Sequence, residues 1–384
     1  MKVAVLGYGT VGAGVYSMLS DAPGMEAGPV IVRPGKAVES FMVSDAALIF
    51  GDPTVDAVVE TLGGLDPAYS YGMRALEAGK HFITANKAMV AAHGLELAAL
   101  AREKGAAFLF SAACGGGVPF LHNLALSAET DRIEAVSGIL NGTTNYMLDA
   151  MQRRGLSYGD ALREAQSLGY AESDPTADVS GLDALRKMQL ACAVAFGVLP
   201  QSGMLCEGME HFTAADVEDI QSRGLVCRLL ARGSRAGESV SAYVEPVLFP
   251  RAAPESSVFT NNNMARYTGK RCGSIVLMGQ GAGRFPTASA VLRDLSAAQQ
   301  GARSMFPENS RAAEADNREA VHSYYIRTGG FAAVRLPLRS VLAQGEVVRA
   351  VTEPMSAEKM HALAQNIRKD GNDLFFAALE EELC

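Results

Sequence analysis

The hexapeptide Gly7-Tyr8-Gly9-Thr10-Val11-Gly12 constrains this chain more than any other short stretch. It follows the apolar run 3–6 and opens a helix-like segment that continues to residue 19. A glycine in first place permits a tight turn, one in second place lets the backbone approach a pyrophosphate, and one in third lets a helix lie close on its strand. The helix N-terminus then attracts the anion through its unsatisfied N–H groups. In a chain with 39 glycines the pattern alone is weak. At the head of a βαβ alternation it reads as a dinucleotide-binding turn, built from Gly7, Gly9, Thr10, Val11 and Gly12.

The alternation continues past the turn. Short apolar runs at 30–33, 57–60, 82–84 and 107–110 read as strands, with helical sequence at 69–78 and 91–104. Short apolar strands separated by helices indicate a Rossmann-type, doubly wound parallel sheet covered on both faces. This α/β domain is expected over residues 1–125, with 285–301 returning to it. After about residue 125 the strands lengthen, at 133–140 and 239–249, and helices are expected at 158–169, 182–198 and 214–223. An α+β second domain over 126–284 follows from this change. Residues 302–319 are polar and read as a linker. The last 65 or so residues, 320–384, then form a small separate α/β module.

At the tip of the second strand an Asp or Glu would bond the ribose 2′-hydroxyl of NAD. Here residues 33–36 are Arg-Pro-Gly-Lys. A guanidinium and an ammonium suit the 2′-phosphate of NADP(H), so Arg33 and Lys36 favour NADP(H), with NAD(H) still possible.

Charge and cysteine usage narrow the setting. A net charge of −8 argues against a nucleic-acid or anionic-membrane partner, and no apolar run approaches the ~20 residues that cross a bilayer. The first strand starts so near residue 1 that a signal peptide is not expected. Six cysteines, at 114, 192, 206, 227, 272 and 384, are scattered without a CxxC pair. Reduced thiols in a cytoplasmic protein are the reading.

The densest chemistry lies in 169–187, GYAESDPTADVSGLDALRK. Glu172, Asp174, Asp178 and Asp183 stand against Arg186 and Lys187, and the block runs directly into the apolar segment 188–199. Charges at the mouth of a buried segment are costly unless paired or used. The block therefore reads as a polar pocket floor. Asp183 and Lys187 are spaced i, i+4 and share a helix face whose neighbours leave little for water. An Asp orienting a partly buried Lys makes a proton-transfer pair. Lys87, in Thr84-Ala85-Asn86-Lys87, follows a strand at the carboxyl edge of the first sheet, where a lysine serves as proton donor, carboxylate anchor or plain surface residue. The turn 111–119, SAACGGGVP, frees backbone groups to face a ligand or ion. Residues 141–145, NGTTN, cap a helix and offer hydroxyls and amides to a polar substrate.

Taken together these motifs resemble the homoserine dehydrogenase family, over about residues 1–300. The resemblance rests on GYGTVG at 7–12, VVETLGG ending at Gly64, TANK at 84–87 and GGGVP at 115–119. It also rests on GILNGTTNYML at 138–148, GYAESDP at 169–175, GLDALRK at 181–187 and GAGRFPTASAV at 281–291. It implies NAD(P)-dependent reduction of L-aspartate 4-semialdehyde to L-homoserine, a step toward threonine, methionine and isoleucine, by a homodimer or homotetramer in which 126–284 is the α+β substrate-binding and dimerisation domain. It places Lys87 and Lys187 at the reacting oxygen, either as proton donor, with Asp183 orienting Lys187. Glu172 would take the substrate ammonium, Asp178 would support the pocket, and Gly142, Thr143 and Tyr170 would line it. Gly63, Asn86, Lys87 and Gly283 join the cofactor-binding set.

The chain departs from the family in two places. Ser111 stands where the family commonly has a Glu that helps hold a monovalent cation, so a sodium site rests on the carbonyls of Cys114 and Gly116 alone. The tail begins like an ACT domain at 322–327, HSYYIR, but lacks the usual loop and reads as a degenerate ACT-like module. Two other functions fit the same motifs less well: an NADP-binding sensor without turnover, which has no need of two lysines at a reacting oxygen, and a reductase of another small semialdehyde, against which Glu172 weighs.

Overall fold

The computed structural model describes residues 1–333 and 335–380. Cys384 lies outside the described residues. The chain forms two compact units: residues 1–133, 189–199 and 268–312 in one, and residues 134–188, 200–267 and those from 313 on in the other.

In the first unit the strands are β1 (Lys2–Leu6), β2 (Glu26–Ile31), β3 (Met42–Val43), β4 (Ala57–Glu60), β5 (His81–Thr84) and β6 (Phe108–Leu109). They form one sheet in the order β3-β2-β1-β4-β5-β6, and each pair is parallel. This is the doubly wound order whose strand sequence reverses beside β1, where ligands gather at the carboxyl ends. The helices are α1 (Thr10–Leu19), the single turn α2 (Ala47–Phe50), α3 (Ala68–Glu77) and α4 (Lys87–Lys104). Val3, Ala4, Val5 and Leu6 are fully buried, as a strand covered on both faces requires.

Strand β2 begins four residues before the expected 30–33 and stops short of Arg33. Its early part carries no clear strand signal because Gly28 and Pro29 are poor strand formers. The pairing with β1 shifts register between Val3 and Val5, opposite Gly28 and Pro29, and such an irregularity tolerates a residue without an N–H. Residues 302–319 are no bare linker. Met305 and Phe306 are buried, Phe306 packs on Phe110 with ring centroids 4.8 Å apart, and Phe110 N–H donates to Met305 Sδ.

The second unit is built on long antiparallel strands. Leu225–Ala236 pairs with Ser239–Pro250 along its whole length and with Ile133–Ile139 on its other side. The tail contributes Tyr324–Gly329, Gly330–Ala333, Leu338–Ala343, Val347–Thr352, Ala357–Lys369 and Leu374–Leu379, a βαββαβ order. Its strands lie in the order fourth, first, third, second, the split βαβ arrangement.

The expected separate module at 320–384 is corrected by one pairing. Leu374–Leu379 runs parallel to Ser239–Pro250, with Val247 opposite Ala378 and Leu248 opposite Leu379, so the two sheets are continuous. One apolar cluster joins Ile139, Leu230, Val247 and Phe249 to Tyr324, Met360, Ile367 and Phe376. A module with its own closed core would not share those side chains.

Candidate active site

The carboxyl edge of the first sheet is shaped by backbone. Gly7 adopts φ +99°, which favours glycine, and ends β1 in the tight turn. A Cβ on Gly12 would stand 2.1 Å from the Gly7 carbonyl oxygen, so only glycine lets α1 pack this close to the strand. In front of Gly9 a Cβ would meet nothing within 4 Å. Gly9 is the N-cap of α1, with no side chain capping the helix and no acid in the first turn. Open space before uncapped N–H groups is what a pyrophosphate requires, so these residues fit a dinucleotide. Arg33 and Lys36 are exposed just past β2, in a turn closed by Lys36 N–H donating to Arg33 O. Gly63 and Gly64 also have positive φ, at +75° and +73°, in the loop after β4.

Asn86 is the N-cap of α4, its Oδ1 accepting from Met89 N–H at 3.1 Å, and Lys87 is the first helical residue. This cap fixes where the Lys87 side chain starts. Gly283 (φ +117°) caps Arg284–Gln299, which lies on α1: a Cβ on Gly14 would meet Arg284 at 2.9 Å.

The turn after β6 departs most from a simple glycine loop. Ser111 is buried; its hydroxyl donates to Asp294 Oδ1 at 2.5 Å and its N–H to Oδ2 at 2.7 Å. Burial pushes the Asp294 carboxyl up to about 7 against the lowering effect of those two bonds. Ser111 therefore points into the packed interior rather than toward a loop ligand. Among the described residues no group of three His, Cys, Asp or Glu could hold a metal ion.

The second unit brings a different kit together. Helix α5 (Phe120–Thr130) belongs to the first unit; Ile133–Ile139 then leads to α6 (Gly142–Arg154). Asn141 caps α6 through Oδ1, which accepts from Thr144 N–H at 2.9 Å, while its Nδ2 donates to Asp178 Oδ1 at 2.7 Å and Asp183 Oδ2 at 3.0 Å. Lys187 donates to Asp183 Oδ2 and to the Leu140 carbonyl, both at 2.6 Å. The side chains of Asp183 and Lys187 are each 13% exposed, which removes the reading of a solvated surface pair. Burial raises the Asp178 carboxyl above its ordinary value, and the Asp183 charge raises it further, against the opposing Asn141 bond. A Cβ on Gly142 would come within 2.8 Å of Asn261 O, so the α6 start lies tight against that loop.

The remaining members of the expected set split. Thr143 Oγ1 donates to the Tyr170 carbonyl at 2.6 Å, so Tyr170 takes part through its backbone, while its ring packs edge-on against Tyr146. Glu172 is exposed, and its carbonyl accepts from Gln166 Nε2. Asp174 is also exposed and closes a local turn with Thr176. Of the block 169–187, Asp178, Asp183 and Lys187 thus come together around Asn141, while Glu172 and Asp174 stand exposed outside that network. Sequence reasoning missed Asn141 as the donor joining both carboxylates. Its signal was the helix-cap position, where one amide face caps and the other stays available.

Comparison with known proteins agrees with this geometry. Residues 7–111 match the family described as "Homoserine dehydrogenase, NAD binding domain", and residues 119–296 match "Homoserine dehydrogenase". Homoserine dehydrogenase of Corynebacterium glutamicum is 39% identical over 314 residues, covering 76% of this chain and 70% of that protein. That of Synechocystis is 38% identical over 319 residues, covering 77% and 72%. Among solved structures, a homoserine dehydrogenase from Thiobacillus denitrificans superposes with a TM-score of 0.87 at 29% identity, covering 99% of this chain and 98% of that one. A hyperthermophilic archaeal homoserine dehydrogenase in complex with NADPH shares the fold, with a TM-score of 0.67 at 24% identity, covering 81% and 99%. With these two matches and relatives this similar over about three quarters of its length, the chain belongs to the homoserine dehydrogenase family of NAD(P)-dependent oxidoreductases.

Proposed function

We propose that the chain reduces L-aspartate 4-semialdehyde with NADPH, and that Lys187 serves the reacting oxygen. The observation that carries this is the ammonium of Lys187, desolvated and pinned between Asp183 Oδ2 and Leu140 O. A bound nicotinamide supplies the hydride, and the protein supplies position and charge. As hydride reaches the carbonyl carbon, negative charge grows on oxygen, and a fixed ammonium stabilises it and donates the proton. Asp183 keeps that ammonium aimed, and Asn141 fixes Asp183. In the reverse direction the same lysine receives the proton from homoserine.

Lys87, held at the start of α4 by the Asn86 cap, is the second cation of the proposal, anchoring cofactor or substrate. Glu172, exposed on the loop before Asp178, would receive the substrate ammonium, Asp178 would support the pocket, and Gly142 with Thr143 would line it. Arg33 and Lys36 favour the 2′-phosphate, hence NADPH over NADH. A monovalent cation on the carbonyls of Cys114 and Gly116 belongs to the same proposal. Ser111 gives it no carboxylate, and its hydroxyl is committed to Asp294. A homodimer or homotetramer working in the cytoplasm completes the reading; no described helix is long and apolar enough to cross a membrane.

The test is oxidation of NADPH by the purified protein with aspartate 4-semialdehyde, repeated with NADH. Turnover with both, faster with NADPH, is expected. Absence of turnover with either overturns the reading, and faster turnover with NADH overturns the Arg33 argument alone.

A further inference from the structure

Glu60 ends β4 with a fully buried carboxylate, deep in a strand otherwise made of Ala57, Val58 and Val59. An acid in that place is costly unless its oxygens are satisfied. Three neutral donors do so. Oε1 accepts from Leu62 N–H at 2.6 Å and Gly63 N–H at 3.1 Å, and Oε2 accepts the Thr84 hydroxyl at 2.5 Å.

Two of the donors belong to the loop after β4 and the third, Thr84, is the last residue of β5, all at the carboxyl edge. Thr84, facing Glu60 across the β4–β5 ladder, uses its Oγ1 a second time to accept Asn86 N–H at 2.9 Å. Asn86 returns the connection, its Nδ2 donating to Gly64 O at 2.6 Å while its Oδ1 caps α4. The bonds close a ring: Glu60 to Thr84, Thr84 to Asn86, Asn86 to the 61–64 loop, and that loop back to Glu60. Thr61, next in the chain, donates from Oγ1 to Leu6 O at 3.0 Å, and Thr61 Oγ1 itself lies 2.7 Å from where a Cβ on Gly12 would sit. The ring therefore also bears on the glycine turn.

We propose that Glu60 is a positioning residue, whose carboxylate locks the 61–64 loop and the start of α4 into one geometry and so sets Lys87 and the cofactor-facing glycines. The proposal rests on the functional reading above. A glutamine at this place keeps the size and one acceptor, but its Nε2 cannot accept the Thr84 hydroxyl proton. Either Nε2 donates to Thr84 Oγ1, leaving the hydroxyl proton without its acceptor, or the amide turns and sets Nε2 against the Leu62 and Gly63 N–H groups; in both cases the ring loses a bond to a carboxylate.

The experiment compares Glu60→Gln, Thr84→Val and Thr84→Ser with wild type by NADPH titration, steady-state kinetics and thermal unfolding. In Glu60→Gln and Thr84→Val, kcat is expected to fall by about 10–100-fold, the scale of an ångström-size misplacement, and NADPH to bind less tightly. Thr84→Ser, which keeps the hydroxyl, restores most of what Thr84→Val loses. Wild-type kcat and NADPH affinity in Glu60→Gln would overturn the proposal, as would losses that track the unfolding temperature alone or go unrescued by serine. Should wild type itself show no turnover, the functional reading fails, while the NADPH titration and serine rescue still judge Glu60.

Discussion

The carboxyl edge of the first sheet and the corner of the second unit where α6 and α7 (Leu182–Phe196) begin solve opposite problems. The first presents glycines and N–H groups, and the acid nearest them, Glu60, is turned inward and satisfied by neutral donors. The second presents charge outright: Asp178, Asp183 and Lys187 converge on one asparagine amide and one carbonyl. A polyanionic cofactor is held by shape and many weak donors, each replaceable in part. A reaction that moves a proton needs a small number of fixed charges. Substitutions in the two regions should therefore fail differently, the first in affinity and the second in rate.

The largest effect is expected at Lys187. Lys187→Ala should lower kcat by about 10²–10⁴-fold, the usual worth of a positioned acid, with the Kd for NADPH nearly unchanged. Stopped-flow reduction together with fluorescence titration separates the two quantities, and a loss confined to affinity would break the contrast. Asp183→Asn comes next, with a kcat loss of about 10²-fold, because removing one member leaves a partly buried ammonium without its counter-charge.

On the other side, Gly12→Ala forces a Cβ to 2.1 Å from Gly7 O. Overpacking of this kind costs about 1–3 kcal/mol, so NADPH binding should weaken by roughly 5–150-fold, while turnover at saturating cofactor stays close to wild type. A collapse of kcat at saturation would show that the glycine turn also sets the reaction geometry. Arg33→Ala with Lys36→Ala should raise KM for NADPH about tenfold and leave NADH unaffected, an exposed charge-assisted contact being screened by salt.

The smallest effect concerns pH. Asp294 is buried with its carboxyl raised to about 7, so between about pH 4 and 7 the folded protein holds a proton that the unfolded chain releases. Stability contributed by the protonated form is present at low pH and lost as pH rises through that window. Asp294→Asn should flatten this part of the pH–Tm curve by a few degrees, read by calorimetry. An unchanged slope would mean that the two Ser111 bonds hold Asp294 ionised throughout.

Much of this contrast is legible in the amino-acid sequence. The alternating short strands point to the parallel sheet, because buried strands need unbroken apolar runs. The Asp183–Lys187 spacing marks the pair, and its apolar neighbours, Ala184, Leu185 and Met188, correctly place it away from bulk water. Glu172 is harder, since an acid at a pocket rim and an acid on a solvated turn share one local sequence. Glu60 leaves no such mark because a single carboxylate ending an apolar strand has no periodic signature; its three donors come from residues 2, 3 and 24 positions away. The tail misleads for a related reason. A βαββαβ pattern reads as self-contained, and nothing local records that its last strand pairs with one more than a hundred residues earlier.

That parallel pairing has a consequence for how the chain tolerates shortening. A product ended near residue 320 would leave Val247 and Leu248 with an open backbone edge and strip the cover from Phe249 and Leu230. Open edges beside wet apolar faces seed aggregation. The tail is accordingly no removable accessory, and a force applied to it would be felt by the strand Ser239–Pro250 as tension across shared hydrogen bonds rather than as the swing of a hinge.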